Sequence, residues 1–247
     1  MTRARTVAAL YDIHGVLPAL EAVLAEPDVR WADLVLVGGD AVMGPFPAET
    51  LEALVGLGER ALFVRGNTDR VLGELPADDP WAERNAWVCA ELGDEATAAV
   101  TAWPESLAVE IDGLGQTLFC HGSPRSDTEI LTRATPPERL APILAEVREP
   151  VVVCGHTHVQ FDRRFEGTRL VNAGSLGMPY EGETGARWAL LGPDVELRRT
   201  SYDVEAAANR VRASGLPGAD EFAEEYVLSS HSAQEATETF EGMAAER

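Results

Sequence analysis

The chain has no lysine: all 20 of its basic residues are arginine, a bias that says little about mechanism. Bases are also outnumbered, because 41 acidic side chains leave a formal net charge of −21. An acidic surface repels a phosphate backbone, so there is no electrostatic footprint for non-specific DNA or RNA binding. It also disfavours a polyanionic substrate unless cations and local arginines reverse the field in a cleft. Cysteine is scarce. Cys89, Cys120 and Cys154 form no CxxC pair and no even disulfide framework. Cys120 and Cys154 lie in apolar strand-like runs and read as small buried hydrophobes, with thiolate ligation of zinc as the other reading. No apolar run approaches the ~20 residues of a membrane span, so no membrane association is expected. The first residues run directly into a strand-like segment without a signal-peptide pattern, and a cytoplasmic location is expected. No internal repeat is found.

What the chain does have is 247 residues of which 45% are hydrophobic, enough for one large domain with a sizeable core. Apolar strand candidates alternate with helical segments. Residues 6–13, 34–37 and 61–65 read as strands, separated by amphipathic helices over 18–26 and 47–57. This βαβαβ start implies parallel strands with helices packed over the sheet. Residues 80–103 read as two helices broken near Gly93-Asp94. Residues 107–111 and 116–120 form a hairpin around Asp112-Gly113. Thr135-Pro136-Pro137-Glu138 has the form of a capping box and opens a helix to about residue 148. Short strands follow over 151–154, 161–165, 169–171, 188–191 and 195–200. The fold class is therefore α/β, with two packed sheets flanked by helices. After Tyr202 the character changes. Residues 203–247 carry ten acidic residues against three arginines. They read as a solvated helical appendage with a frayed end, following a domain of residues 1–202. The other reading of the segment is an oligomer or partner contact through Phe222, Tyr226, Val227 and Leu228, which keeps a homo-oligomer open.

Four of the five histidines fall in three short clusters: Asp12-Ile13-His14-Gly15, Cys120-His121-Gly122 and Gly155-His156-Thr157-His158. Two more clusters, Gly38-Gly39-Asp40 and Gly66-Asn67-Thr68-Asp69, have the same strand-into-glycine-turn form. Each is weak alone, since Asp before a glycine turn is a common turn residue and a lone histidine is usually structural. As a set they place carboxylate, amide and imidazole donors at the strand-to-loop junctions where open α/β sheets build their sites. Mixed oxygen and nitrogen donors suit Mn²⁺, Fe or Zn²⁺. Asp40 is a carboxylate that can bridge two cations, and Asn67 supplies a neutral oxygen. Two cations about 3.5–4 Å apart that share a water turn it into a hydroxide nucleophile for in-line attack on phosphorus.

Taken in order, Asp-x-His, Gly-Asp, Gly-Asn-x-Asp, His-Gly and Gly-His-Thr-His resemble the calcineurin-like metallophosphoesterases. The resemblance runs from about Val7 to Asp203. It is strongest to the small bacterial phosphodiesterase branch, through Gly15-Val16-Leu17-Pro18, Met43-Gly44-Pro45-Phe46-Pro47, His121-Gly122-Ser123-Pro124-Arg125 and Asn172-Ala173-Gly174-Ser175. It implies a four-layer αββα sandwich of two mixed sheets. It implies a phosphoric ester hydrolase acting on a small phosphoester. Its cofactors would be two divalent metal ions, manganese first, with iron, zinc or nickel as alternatives. Asp12, His14 and His158 would hold one metal and Asn67, His121 and His156 the other, with Asp40 between them.

One position departs from the pattern. Where many relatives carry a histidine after the asparagine of the third motif, this chain has Thr68. A hydroxyl can hydrogen-bond a phosphate oxygen but is a poor proton donor. Thr68 and Asp69 are therefore the candidate catalytic residues, with Asp69 also readable as a turn brace. Arg65, Arg70 and Arg125 adjoin motif residues; Arg125 and Arg70 are the candidate phosphate-gripping pair. Thr157 reads as a support for its neighbours, and His231 in the polar tail has no assigned role. A protein serine/threonine phosphatase is disfavoured by Ala41-Val42 where that branch carries Arg-Gly, and a repair nuclease by the acidic charge. A scaffold on the same fold, as in the retromer subunit, would show degraded ligands. Here all seven positions carry donors. Metal-dependent hydrolysis of a non-phosphate bond is the third reading.

Overall fold

The computed structural model describes residues 2–246. The elements run β1 (Arg3–Ala4), β2 (Val7–Leu10), α1 (Leu17–Ala25), α2 (Pro27–Trp31), β3 (Leu34–Val37), α3 (Pro47–Val55), β4 (Ala61–Phe63), α4 (Asn67–Arg70), α5 (Ala82–Leu92) and α6 (Asp94–Thr101). They continue with β5 (Ser106–Ile111), β6 (Gly115–Cys120), α7 (Pro137–Leu144), β7 (Val151–Cys154), β8 (Phe161–Phe165), β9 (Thr168–Asn172), β10 (Ala186–Leu191) and β11 (Val195–Thr200). Three helices follow: α8 (Val204–Arg212), α9 (Ala219–Phe222), which runs into a π-helical turn at Ala223–Val227, and α10 (Ala233–Ala245).

One sheet has the order β11-β10-β2-β3-β4 and the other β1-β5-β6-β7-β9-β8. Both are mixed. β2, β3 and β4 are parallel with β10 antiparallel to β2; β6, β7 and β9 are parallel with β5 and β8 antiparallel. Side chains alternate across a strand, and β2 shows the consequence. Val7 and Ala9 face a core shared with Phe119, Val153 and Val171 of the second sheet, whereas Ala8 and Leu10 face a core shared with α1 and α8. A third core lies between α7 and the outer face of the second sheet. Helices, sheet, sheet and helix thus form the expected αββα layers. Cys120 and Cys154 lie in that third core with no part in a metal group, and burial pushes both thiols up. This corrects the zinc-thiolate reading. Among the described residues, no helix is long and apolar enough to cross a membrane.

The departures from the sequence reading have local causes. β2 stops at Leu10 because Asp12 and His14 take positive φ, which breaks the strand. α7 has no capping box: Pro136 is the N-cap, and the Thr135 hydroxyl instead accepts the Thr132 N–H at 2.8 Å. The helix ends at Leu144, two residues past an internal proline, Pro142. The C-terminal segment is helical but not solvated on its apolar side. Ala207, Ala208, Val211, Phe222 and Val227 are buried in the same core as α1, with Tyr226 and Leu228 packed against it. Those four C-terminal side chains are therefore not a free contact surface. Instead of fraying, α10 opens with a Ser232–Glu235 capping box, and its Glu241 carboxylate binds Arg139 and the Thr132 and Thr135 hydroxyls.

One buried bond joins the two sheets beside the loop ends. The Tyr11 hydroxyl donates to the Val153 carbonyl at 3.0 Å. Tyr11→Phe should cost about 1 kcal/mol of unfolding free energy in urea titrations, the usual net worth of one such bond.

Candidate metal centre

Five loops leave the same end of the two sheets, and each delivers donors. The loop after β2 carries Asp12 and His14, and that after β3 carries Asp40. The β4–α4 junction carries Asn67, the loop after β6 His121, and the loop after β7 His156 and His158. Positive φ is rare for residues with a Cβ. Among the described residues it occurs at Asp12, His14, Asp40, His156, His158 and Glu166. Five of these six are expected ligands. Such strain persists only where the surroundings impose it, and it concentrates at functional sites. Small residues allow the loops to meet. A Cβ on Gly66 would lie 2.1 Å from Asp40 Oδ1, and one on Gly155 would lie 2.4 Å from Asp12 Oδ2.

The donors converge. Asp12 Oδ1 lies 3.3 Å from His158 Nε2, 3.8 Å from His121 Nε2 and 4.0 Å from His14 Nε2. Asp40 Oδ2 lies 3.5 Å from His121 Nε2 and 3.8 Å from His14 Nε2. Asn67 Oδ1 is 3.1 Å from His121 Nε2, and the His156 ring packs edge-on against that of His121 at 5.3 Å. Two groups have metal-binding geometry: Asp12, His14 and His158, and Asp12, Asp40 and His121. Asp12 belongs to both, whereas the sequence reading gave the shared place to Asp40 alone. Both carboxylates in fact face His14 and His121.

The outer bonds aim the imidazoles. His121 Nδ1 is 2.9 Å from the Gly38 carbonyl and His158 Nδ1 is 2.8 Å from that of Met178. A carbonyl only accepts, so each Nδ1 carries the hydrogen and each Nε2 turns its lone pair inward, the usual arrangement of a ligand histidine. Asp12 Oδ2 accepts the His156 N–H at 2.9 Å, while Oδ1 is buried without a hydrogen-bond partner. An orphaned carboxylate oxygen facing three imidazole nitrogens is costly unless a cation completes it. The donor set therefore fits divalent metal.

The charges are strongly coupled. Burial opposes a charge on His121, but Asp40 and Asp12 overcome it and push the imidazole up to about 10. Burial, and then His121, push His156 down to about 4. Burial works against ionisation of Asp12 and Asp40 as well, yet the surrounding histidines hold both below the usual carboxylate range.

The other expected residues separate. The Thr68 N–H donates to Asp40 Oδ1 at 2.9 Å, and its buried hydroxyl, at the wall of the cavity, has no hydrogen-bond partner. Asp69 is fully buried and off the cavity wall. Its oxygens accept the N–H groups of Asp40 at 2.7 Å, Gly66 at 3.0 Å and Ala41 at 3.0 Å. It locks two ligand loops together, which is the brace reading of this residue. Burial, then the Asp40 charge, push its carboxyl up to about 7. Arg70 lines the cavity, with Nε held by Asp127 at 2.6 Å. Arg125 does not line it: its guanidinium pairs with Glu129 and donates to the Pro142 carbonyl. Arg65 is turned to Glu105 and the Thr101 carbonyl. Thr157 donates to the Leu131 carbonyl, a support role as expected.

Sequence reasoning missed several contributors. Tyr180 stacks on the His158 ring at 4.9 Å, and Phe240 of α10 lies 6.3 Å from the His156 ring. Ser175 donates to the Asp12 carbonyl and Asn172 to that of Gly155, so the Asn-Ala-Gly-Ser motif holds two ligand loops in place. That motif was a visible signal. Phe240 had none, because only the fold brings α10 to the site.

Two outcomes are expected. Asp69→Asn turns an amide toward backbone donors and should weaken metal affinity about 10–100-fold by calorimetry. Metal uptake should also release protons, because a cation and a proton compete for His121 Nε2. His121 is raised above its ordinary 6.5, so its proton stabilises the metal-free fold below that pH. The contribution fades as pH rises through about 10. Thermal unfolding of chelator-treated protein from pH 6 to 10 should show that decline, and metal-loaded protein should not.

A family model described as the calcineurin-like phosphoesterase superfamily domain matches residues 6–192. Among solved structures, the chain is similar to a metallophosphoesterase from Sphaerobacter thermophilus, with 26% identity and a TM-score of 0.72. That match covers 90% of this chain and 98% of the other. A hypothetical protein from Pyrococcus horikoshii OT3 shares the fold, with 21% identity and a TM-score of 0.76 over 91% of this chain and 99% of that one. No curated protein matches. Since the matched stretch covers most of both sheets and every donor loop, the chain belongs to the calcineurin-like phosphoesterase superfamily.

Proposed function

We propose that the protein is a binuclear metal-dependent phosphoesterase acting first of all on phosphodiesters. The observation that supports this most is the buried, unpartnered Asp12 Oδ1 facing the Nε2 atoms of His14, His121 and His158. Asp12, His14 and His158 would hold one cation, Asn67, His121 and His156 the second, and Asp40 would face both. Manganese is the proposed metal, as the donors are hard oxygens and imidazoles without thiolate. Two bound cations would lower the pKa of a shared water and polarise phosphoryl oxygens.

The chain's own residues account for the rest. Asp69 keeps Asp40 in place through backbone bonds. Asn67 adds an uncharged oxygen, so net positive charge remains for an anionic ester. The Thr68 hydroxyl, which lacks a hydrogen-bond partner, is proposed to donate to a non-bridging phosphate oxygen. Arg70, one of two arginines on the cavity wall and anchored through Nε to Asp127, is proposed to turn its remaining N–H groups to the same phosphoryl group. With threonine in place of a proton-donating histidine, departure of the leaving group depends on its own stability. The location is proposed to be cytoplasmic. Intact donors at all seven positions favour an enzyme over a scaffold on this fold.

With manganese supplied, aryl phosphodiesters should turn over faster than alkyl ones by about 10²–10⁴, the usual worth of general-acid help. Thr68→His should narrow that gap by raising alkyl turnover, and Asp40→Ala should abolish both activities. Steady-state rates on matched ester pairs decide it. Equal aryl and alkyl rates would remove the role given to Thr68, and full activity in Asp40→Ala would remove the mechanism.

A further inference from the structure

The cavity that opens from the metal-ligand groups has a volume of about 510 Å³. That is in the range of sites that enclose a drug-sized organic molecule, and far more than a phosphate fills. Beyond the candidate ligands its walls are mostly apolar, with Thr68, Arg70, Asp79, Arg84 and Thr128 as the polar members. Val71, Leu75 and Trp81 line it from the segment after α4, and Leu216, Phe222 and Phe240 from the C-terminal segment. The last three lie outside the stretch that matches the family, so the C-terminal helices add a wall that the family domain does not provide.

The cations along this wall are already matched. Arg70 is paired with Asp127 at 2.6 Å. Arg84 lies over the Trp81 ring at 5.0 Å, donates to the Pro217 carbonyl at 2.9 Å and sits 3.7 Å from Glu221. A second phosphate reaching this region would have to break those pairs and approach Asp79 on the same wall. A sugar would leave its hydroxyls against aliphatic and aromatic carbon, and unpaired polar groups are costly there. A flat apolar group meets neither obstacle.

We propose that the cavity is the subsite for the organic arm of the substrate, and that this arm is an aromatic group of about bicyclic size, not a sugar or a second phosphate. The inference rests on the phosphoesterase reading of the metal centre and adds the substrate class. The arm runs from the candidate metal-ligand loops among Val71, Leu75, Trp81, Leu216 and Phe222.

The test uses manganese-loaded full-length protein and two non-hydrolysable probes, naphthylphosphonate and methylphosphonate, by calorimetry. Phenyl and naphthyl phosphodiesters, whose leaving groups are of similar acidity, are run in parallel. Naphthylphosphonate should bind at least about tenfold more tightly than methylphosphonate, as expected when a large apolar area leaves water. Trp81 is 45% exposed and Leu75 half-buried, so both tolerate change. Trp81→Ala and Leu75→Gln should each cut the preference at least about threefold, with methylphosphonate affinity unchanged. Equal affinity for the two probes, or a preference untouched by both variants, would overturn the subsite. Hydrolysis of both esters without a naphthyl preference overturns the subsite alone. A strong, variant-sensitive preference with no ester hydrolysed supports the subsite and overturns the phosphoesterase reading.

Discussion

Three carboxylates sealed from water at one end of the two sheets, far apart in sequence but neighbours in space, are the constraint on which this protein is built. Asp12, Asp40 and Asp69 are all buried. Buried charge is tolerable only when it is paired or hydrogen-bonded, and each of the three is answered differently. Asp69 is surrounded by three backbone N–H groups. Asp40 is met by the Thr68 N–H on one oxygen and by two histidines on the other. Asp12 is answered by the His156 N–H on one oxygen only, and its second oxygen faces imidazoles that need a cation to complete the set. The loops therefore cannot relax independently. Moving the Gly66–Asp69 turn releases Asp69 from Asp40 and Ala41, and that exposes the charges the histidines counter.

Strain and support are distributed accordingly. Positive φ gathers at five ligands, and the restraint comes from groups that are not ligands: Asp69, Ser175, Asn172, the Gly38 and Met178 carbonyls, and the Tyr11–Val153 bond between the sheets. The candidate donors and the apolar cavity wall come from different parts of the chain. Donor loops grow from the β-sandwich, whereas the apolar half of the cavity is walled by the α4–α5 region and the C-terminal helices. Relatives could keep one and change the other, because the C-terminal helices meet the site from outside the sheets.

Much of this was legible without coordinates. The fully apolar runs at 34–37 and 151–154 formed the buried strands they implied, because a strand covered on both faces needs no polar residues. The seven candidate donors lie at strand ends, and five of them fall in the two groups with metal-binding geometry, since a glycine turn after an apolar run is a local signal. Ordering within the site was less legible. Asp12, and not Asp40, is the member common to both donor groups, because that depends on how the five loops are stacked. Arg125 was chosen for its nearness to His121 along the chain, yet Glu129, four residues on, takes its guanidinium. Thr135 was assigned a cap, yet a tertiary partner, Glu241, was available to its hydroxyl.

The sequence by itself determined an α/β chain of two packed sheets with candidate metal donors gathered at five strand ends. Each of these is written in short-range patterns of polarity, glycine and donor type. Only the tertiary structure decided that Asp69 braces the donor loops off the cavity wall, that Phe240 and Leu216 border the cavity, and that Phe222 and Val227 are core. Those outcomes hinge on contacts between segments far apart in the chain, where burial and the need to satisfy each polar group choose among partners that no local pattern ranks.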